Sequence, residues 1–149
     1  MNKSREYVRR IFNVVNGIEG VYDIKAKWMG VKANTLYLLY ALDDGKEHTQ
    51  KEISKEWLIP RTTLNTIIKE CEADGYITLK PIPGYKRDLH ICLTETGKSF
   101  AKKILSPIYN AEKKAISKNL QECSPTFIAD LELFCNNLKT SFQELEELG

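Results

Sequence analysis

Residues 49–94, TQKEISKEWLIPRTTLNTIIKECEADGYITLKPIPGYKRDLHICLT, decide the fold of this 149-residue chain. Thr49 and Glu52 form a T-x-x-E capping box, in which each side chain satisfies a free backbone amide at a helix start. Ile53 and Trp57 make the buried face of that short helix. Pro60 suits the first turn of the next, where its missing N–H costs nothing. This second helix is predicted over residues 60–73. Its inward stripe is Leu64, Ile67, Ile68 and Cys71, which leaves Arg61, Thr62, Asn65, Thr66 and Lys69 outside. Asp74-Gly75 ends it, the glycine being free to take the left-handed conformation of a helix C-cap. Ile77 and Leu79 then alternate with Thr78 and Lys80 as a half-buried strand, and residues 81–85 form a tip. Leu89, Ile91 and Leu93 alternate on the return strand. Thr94 caps a further helix.

Two short helices followed by a hairpin make the winged helix-turn-helix pattern. Its second helix is shaped to lie in a DNA major groove, and its hairpin reaches neighbouring phosphates or the minor groove. The distribution of charge agrees. Between Trp57 and Lys69 the charged residues are Arg61 and Lys69, and between Gly75 and Arg87 they are Lys80, Lys86 and Arg87. Neither segment carries an acid, whereas Glu144, Glu146 and Glu147 crowd the end of the chain. A net charge of +2 says little; the local balance is what a phosphate-facing surface needs.

Outward from this module the chain is helical. Tyr7, Val8, Ile11, Phe12, Val15, Ile18, Val21 and Tyr22 recur at helical spacing over five or more turns, with Gly17 and Gly20 as local weak points. Asn34 is positioned to cap a helix carrying Leu36, Leu39, Tyr40 and Leu42 inward, stopped by Asp44-Gly45. Beyond Thr94 a long helix carries Phe100, Ile104, Ile108, Ala111 and Ala115, with a kink expected near Lys103 because Pro107 cannot donate to the ladder. Ser124-Pro125 opens a last helix, striped by Ile128, Leu131, Phe134, Leu138, Phe142, Leu145 and Leu148. The fold class expected is mainly α with a small β-hairpin wing. It divides into an N-terminal helical dimerisation segment (1–33), the winged module (34–95) and C-terminal dimerisation helices (96–149). A module this small cannot bury three long apolar stripes, so the two chain ends are expected to make an intertwined homodimer.

Other chemistry finds little support in the residues. The apolar runs fall far short of the ~20 residues a membrane-spanning helix needs, and MNKSREYVRR has no apolar run behind it of the kind a secretory signal carries. Cys71, Cys92, Cys123 and Cys135 lack C-x-x-C spacing and are expected as reduced thiols of a cytoplasmic protein. His48 and His90 stand in no nucleophile motif and no paired-ligand spacing, so neither an enzyme, a metal site nor a cofactor is expected.

The order of elements resembles the MarR family of bacterial transcriptional regulators over nearly the whole chain. The residues that carry the resemblance are TQKEISKEW, where the family has T-Q-x-E-L-A, and IPRTTLNTIIKECEADGYI, where it has S-x-x-T-V-(S/T)-R-x-(I/V)-x-x-L-E-x-x-G-L-(I/V). A third is LTETGKSF, against the family's L-T-x-x-G. The resemblance implies a homodimeric regulator of double-stranded DNA, acting as a ligand-released repressor. It places Arg61, Thr62, Thr63, Asn65, Thr66 and Lys69 on the DNA-facing side of the recognition helix, Gln50 near phosphate, and Lys86 and Arg87 on the wing. Thr66 stands where the family often has Arg, and Tyr85 and Lys86 stand where its wing carries an aspartate before the arginine. Relatives also bind small phenolic or anionic effectors between module and dimer helices, where Trp28, Tyr37, Tyr40 and Trp57 are the candidate lining. Two alternatives stand beside this reading: a winged-helix module that binds a protein partner without DNA, and a thiol-based redox sensor.

Overall fold

The computed structural model describes residues 2–57 and 59–148, with the backbone alone at 85–87. Helix α1 runs Lys3–Trp28, its first turn capped by the Asn2 side chain, which accepts from the Arg5 amide at 2.9 Å. The glycines at 17 and 20 do not interrupt it. Helix α2 (Ala33–Leu42) buries Leu36, Leu38, Leu39, Ala41 and Leu42. Asn34 is inside this helix; the residue at the cap is Lys32, with no side-chain hydrogen bond, because the chain enters the helix two residues earlier than the polar signal suggested.

The capping box is present at α3 (Gln50–Glu56): Thr49 Oγ1 accepts from the Glu52 amide at 3.1 Å, and Glu52 Oε2 accepts from the Thr49 amide at 2.9 Å. Helix α4 (Arg61–Ala73) begins directly after Pro60, which occupies the cap rather than the first turn. All four residues of the inward stripe, Leu64, Ile67, Ile68 and Cys71, are buried. Gly75 takes φ +77 just beyond the Asp74 cap, as a helix stop in the left-handed region requires.

The sheet has three antiparallel strands in the order β1-β3-β2. Strand β1 is two residues long (His48–Thr49), β2 is Ile77–Ile82 and β3 is Tyr85–Leu93. The hairpin turn is tighter than the five-residue tip expected from the sequence: Ile82 still pairs with Tyr85, across a turn in which Gly84 has φ +85. The register shift between Pro81 and Ile82 accommodates a proline that cannot donate to the ladder. One continuous cluster, Leu38, Leu42, Ile53, Leu64, Ile67, Ile68, Cys71, Ile77 and Ile91, joins α2, α3, α4 and the sheet. It fixes the angle at which α4 leaves the module.

Thr94 closes the wing onto α5 (Glu95–Glu122): its hydroxyl donates to the Gly75 carbonyl at 2.6 Å and accepts from the Gly97 amide at 2.9 Å. The α-helical run of α5 continues through Pro107 without a break. Helix α6 is Thr126–Glu147, and none of its residues is buried. The chain divides into two compact units, Met1–Ser106 and Pro107–Gly149. Within the second, Phe127, Phe134 and Leu138 are half-buried, while Ile128, Leu131, Leu133, Phe142, Leu145 and Leu148 are exposed.

Candidate nucleic-acid interface

Helix α4 presents its outer face because its inner face is fully committed to the core. Arg61, Thr62, Thr63, Asn65, Thr66 and Lys69 are all exposed. At about 100° per residue, Thr62, Asn65, Thr66 and Lys69 follow one another along the side opposite Leu64, Ile67, Ile68 and Cys71. Thr66 Oγ1 donates back to the Thr62 carbonyl at 3.1 Å, which ties up its proton and leaves the oxygen as an acceptor. Thr63 is rotated away from this strip, toward α2. On the same flank Lys32 and Glu70 form an ion pair at 3.2 Å between the entry to α2 and α4.

Gln50, from the first turn of α3, reaches α4: its Nε2 donates to Asn65 Oδ1. Two residues fifteen apart in sequence, both expected at DNA, are therefore joined, and the amide of Asn65 is held by its neighbour rather than left to rotate. The turn between the two helices is fixed in turn by Ser54, whose hydroxyl donates to the Ile59 carbonyl at 2.6 Å. Lys86 and Arg87 sit on β3 at the hairpin, but their side chains lie outside the described residues. Gly84 turns the chain just before them.

The base of the wing is braced by two histidines. His48 Nε2 is 2.8 Å from Asp44 Oδ1, and His90 Nδ1 is 3.1 Å from Glu47 Oε2. The hydrogen bond to His48, helped by the Lys46 amide at 2.9 Å, holds the Asp44 carboxyl below the usual carboxylate range. Neither histidine touches a thiol in these contacts. Among the described residues, no group of three or more His, Cys, Asp or Glu is placed to hold a metal.

A cavity of about 550 Å³ lies behind the recognition helix, walled by α1 (Ile18, Glu19, Tyr22), α2 (Asn34, Leu36, Tyr37, Tyr40) and the α3–α4 turn (Trp57, Ile59, Pro60, Thr63). Three of the four aromatics expected on an effector pocket, Tyr37, Tyr40 and Trp57, line it. Trp28 does not: it ends α1 at 82% exposure, with Lys25 Nζ 4.4 Å above its ring. Trp57, expected on the buried face of α3, is instead the residue that closes that helix and is 37% exposed. Sequence reading missed Glu19 and Tyr22 as lining residues, although Tyr22 falls one turn after Ile18 on the same stripe of α1.

Within the cavity Tyr37 donates to Asp23 Oδ1 at 2.8 Å, with the Glu19 carbonyl at 3.5 Å. Burial first, and then the hydrogen bond and charge of Asp23, push the Tyr37 hydroxyl up to about 12. Tyr40 meets Tyr22 (6.4 Å between centroids, 83°) and Trp57 (5.8 Å, 70°) edge to face.

A model of the MarR family matches residues 29–88, which span α2 to the hairpin. No curated protein matches the sequence. Among solved structures, a MarR family regulator from Neisseria meningitidis shares 23% identity over 97% of this chain and 99% of its own, with a TM-score of 0.74. AbsC, a MarR family transcriptional regulator from Streptomyces coelicolor, shares 16% over 97% of each chain, with a TM-score of 0.71. AbfR, solved in an overoxidised form bound to DNA, shares 21% over 91% of this chain and 93% of its own, with a TM-score of 0.65.

Proposed function

We propose that the protein is a sequence-specific regulator of transcription of the MarR type, a reading supported by the MarR family model that matches residues 29–88. It acts in the cytoplasm as a homodimer on double-stranded DNA and is a repressor released by a small ligand, with no enzymatic activity. The observation that carries the reading is the outer face of α4. It is an exposed strip without acids, polar at Thr62, Asn65 and Thr66 and basic at Lys69, on a helix whose other side is locked into the core. Short polar side chains at the N-terminal half of such a helix match base edges in the major groove, and the lysine matches phosphate. Gln50, Arg61 and Thr63 flank the strip, and Lys86 and Arg87 of the hairpin are assigned to the same DNA by the family resemblance. That a solved structure of similar fold is bound to DNA supports a DNA-binding reading. The releasing ligand is assigned to the cavity behind α4, because Pro60 and Thr63 at the head of the helix form part of its wall.

Selection of duplexes from a random pool tests the reading. A palindromic winner is the expected result, with half-sites about one helical turn (~34 Å) apart and an affinity that falls steeply with salt. A pool that yields no preferred sequence, or binding indifferent to salt, rules it out.

A further inference from the structure

We propose that the cavity behind the recognition helix takes an organic cation, a lipophilic ammonium or its equivalent, rather than the anionic phenolic ligand that family resemblance alone suggests. The inference rests on the reading of this cavity as the effector site and adds the charge of what enters it. Among the described residues that form its wall, Glu19 is the charged one; none is a Lys, Arg or His. One turn further along α1, Asp23 adds a second carboxylate, joined to the wall through Tyr37. An incoming carboxylate or phenolate would meet this charge with no cation among those lining side chains to offset it. A ligand phenol would also compete with Tyr37 for the same acceptor.

A cation meets favourable groups in this lining. The Glu19 carboxylate supplies the counter-charge. Tyr22, Tyr40 and Trp57 all line the cavity, Tyr40 standing at a steep angle to each of the other two rings. Aromatic walls of this kind attract a cation through the negative face of the ring, and most strongly where water is excluded. Leu36, Ile18 and Ile59 complete a lining that suits the apolar body of such a ligand. The volume, about 550 Å³, is that of a site for a small organic molecule and far more than an inorganic ion needs. Occupancy also has a route to α4, since Trp57, Ile59, Pro60 and Thr63 are at once cavity wall and the lead into the recognition helix.

The test uses three probes of nearly one shape: benzyltrimethylammonium, its neutral carbon isostere neopentylbenzene, and the anion phenylacetate. Binding to the full-length protein without DNA is followed by the fluorescence of Trp57 in a Trp28→Phe background. The ammonium is expected to bind about tenfold or more tighter than the neutral isostere, and phenylacetate weaker than either. Glu19→Gln should remove most of the advantage of the cation and leave the neutral probe unchanged, which a merely structural role for Glu19 would not do. Circular dichroism of the variant establishes that it is folded. Equal binding of cation and isostere, tighter binding of phenylacetate, or no binding of any of the three overturns the proposal. Duplex binding is measured separately. A cation that binds a protein unable to bind DNA leaves this inference standing and removes the regulator; a duplex released by phenylacetate does the reverse.

Discussion

Gly97 has no room for a side chain: a Cβ built there would lie 1.8 Å from the Tyr76 carbonyl oxygen and 2.8 Å from its carbon. That carbonyl already accepts the Thr94 amide at 3.0 Å, and the Tyr76 ring stacks on Phe100 at 4.2 Å. The L-T-x-x-G signature is thus a packing requirement, the place where α5 leaves the sheet against bare backbone. Gly97→Ala is expected to cost about 1–3 kcal/mol by overpacking against groups that cannot yield, measured as a lowered denaturant midpoint; an alanine variant as stable as the parent would remove this account. Tyr37 offers a second residue-scale prediction. Its hydroxyl, raised from 10.0 to about 12 by burial and then by Asp23, stays protonated in the folded chain where an unfolded tyrosine ionises. Its contribution to stability is therefore complete below pH ~10 and is lost as pH rises through about 12. Asp23→Asn should lower the Tyr37 midpoint, seen as tyrosinate absorbance, without bringing it to the ordinary value, since burial remains the larger cause. A midpoint that stays unmoved would show that Asp23 has no part in it. At this scale the sequence was informative where a residue answers to its neighbours in the chain, as with the Thr49–Glu52 box. It was silent on Gln50 and Asn65, whose contact depends on the angle between two helices.

The elements themselves were legible because each carries its own stop signals. The inward stripe of α4, the Asp74-Gly75 end and the alternation of Ile77, Leu79, Leu89, Ile91 and Leu93 are local patterns, and the helices and strands formed where those patterns lay. Strand β1 was not legible. Two residues have no period, and His48–Thr49 is a strand because Ile91 and His90 lie opposite it. The hairpin tip is shorter than residues 81–85 for a related reason: a register shift, which depends on the partner strand, keeps Pro81 and Ile82 paired with β3. The same locality governs how the recognition helix should fail. Asn65, held by Gln50, is placed to meet a base edge, a contact worth about 1–3 kcal/mol of discrimination. Asn65→Ala should therefore relax sequence choice and leave the salt slope of duplex binding intact. Lys69 stands one turn further on the same face, where phosphate is the fitting partner. Lys69→Ala should weaken all duplexes alike and lower the slope by about one counterion. Gln50→Ala should resemble the asparagine variant, since it frees the same amide to rotate. Salt titrations of the three proteins on matched and mismatched duplexes decide this, and identical behaviour of Asn65→Ala and Lys69→Ala would leave the face without its division of labour.

For the molecule as a whole, the central fact is how much apolar surface one chain leaves uncovered. Along α1, Tyr7, Phe12, Val15, Ile18, Val21 and Ile24 are between 44% and 72% exposed; along α6, Ile128, Leu131, Phe142 and Leu145 are between 45% and 64%. Each set recurs at helical spacing, so each is a stripe rather than a scatter of single residues, and stripes of this length on a monomer are surfaces made for another chain. A second copy is the partner that the proposed function calls for, because a two-fold symmetric dimer presents two copies of one recognition helix to a palindromic site. We therefore expect a dimer at micromolar concentration, built from the stripes of both chain ends. Leu131→Glu tests it. At 47% exposure the side chain is open in one chain, so the variant should keep its helical content. In the dimer the carboxylate would be buried without a partner, at a cost on the order of 3 kcal/mol, which is more than a hundredfold in the dimer dissociation constant. Sedimentation should then show the variant as a folded monomer, and its grip on a palindrome should fall to that of a single half-site. A parent protein that sediments as a stable monomer, or a Leu131→Glu variant that remains fully dimeric, would place the interface elsewhere and leave these two stripes needing another partner.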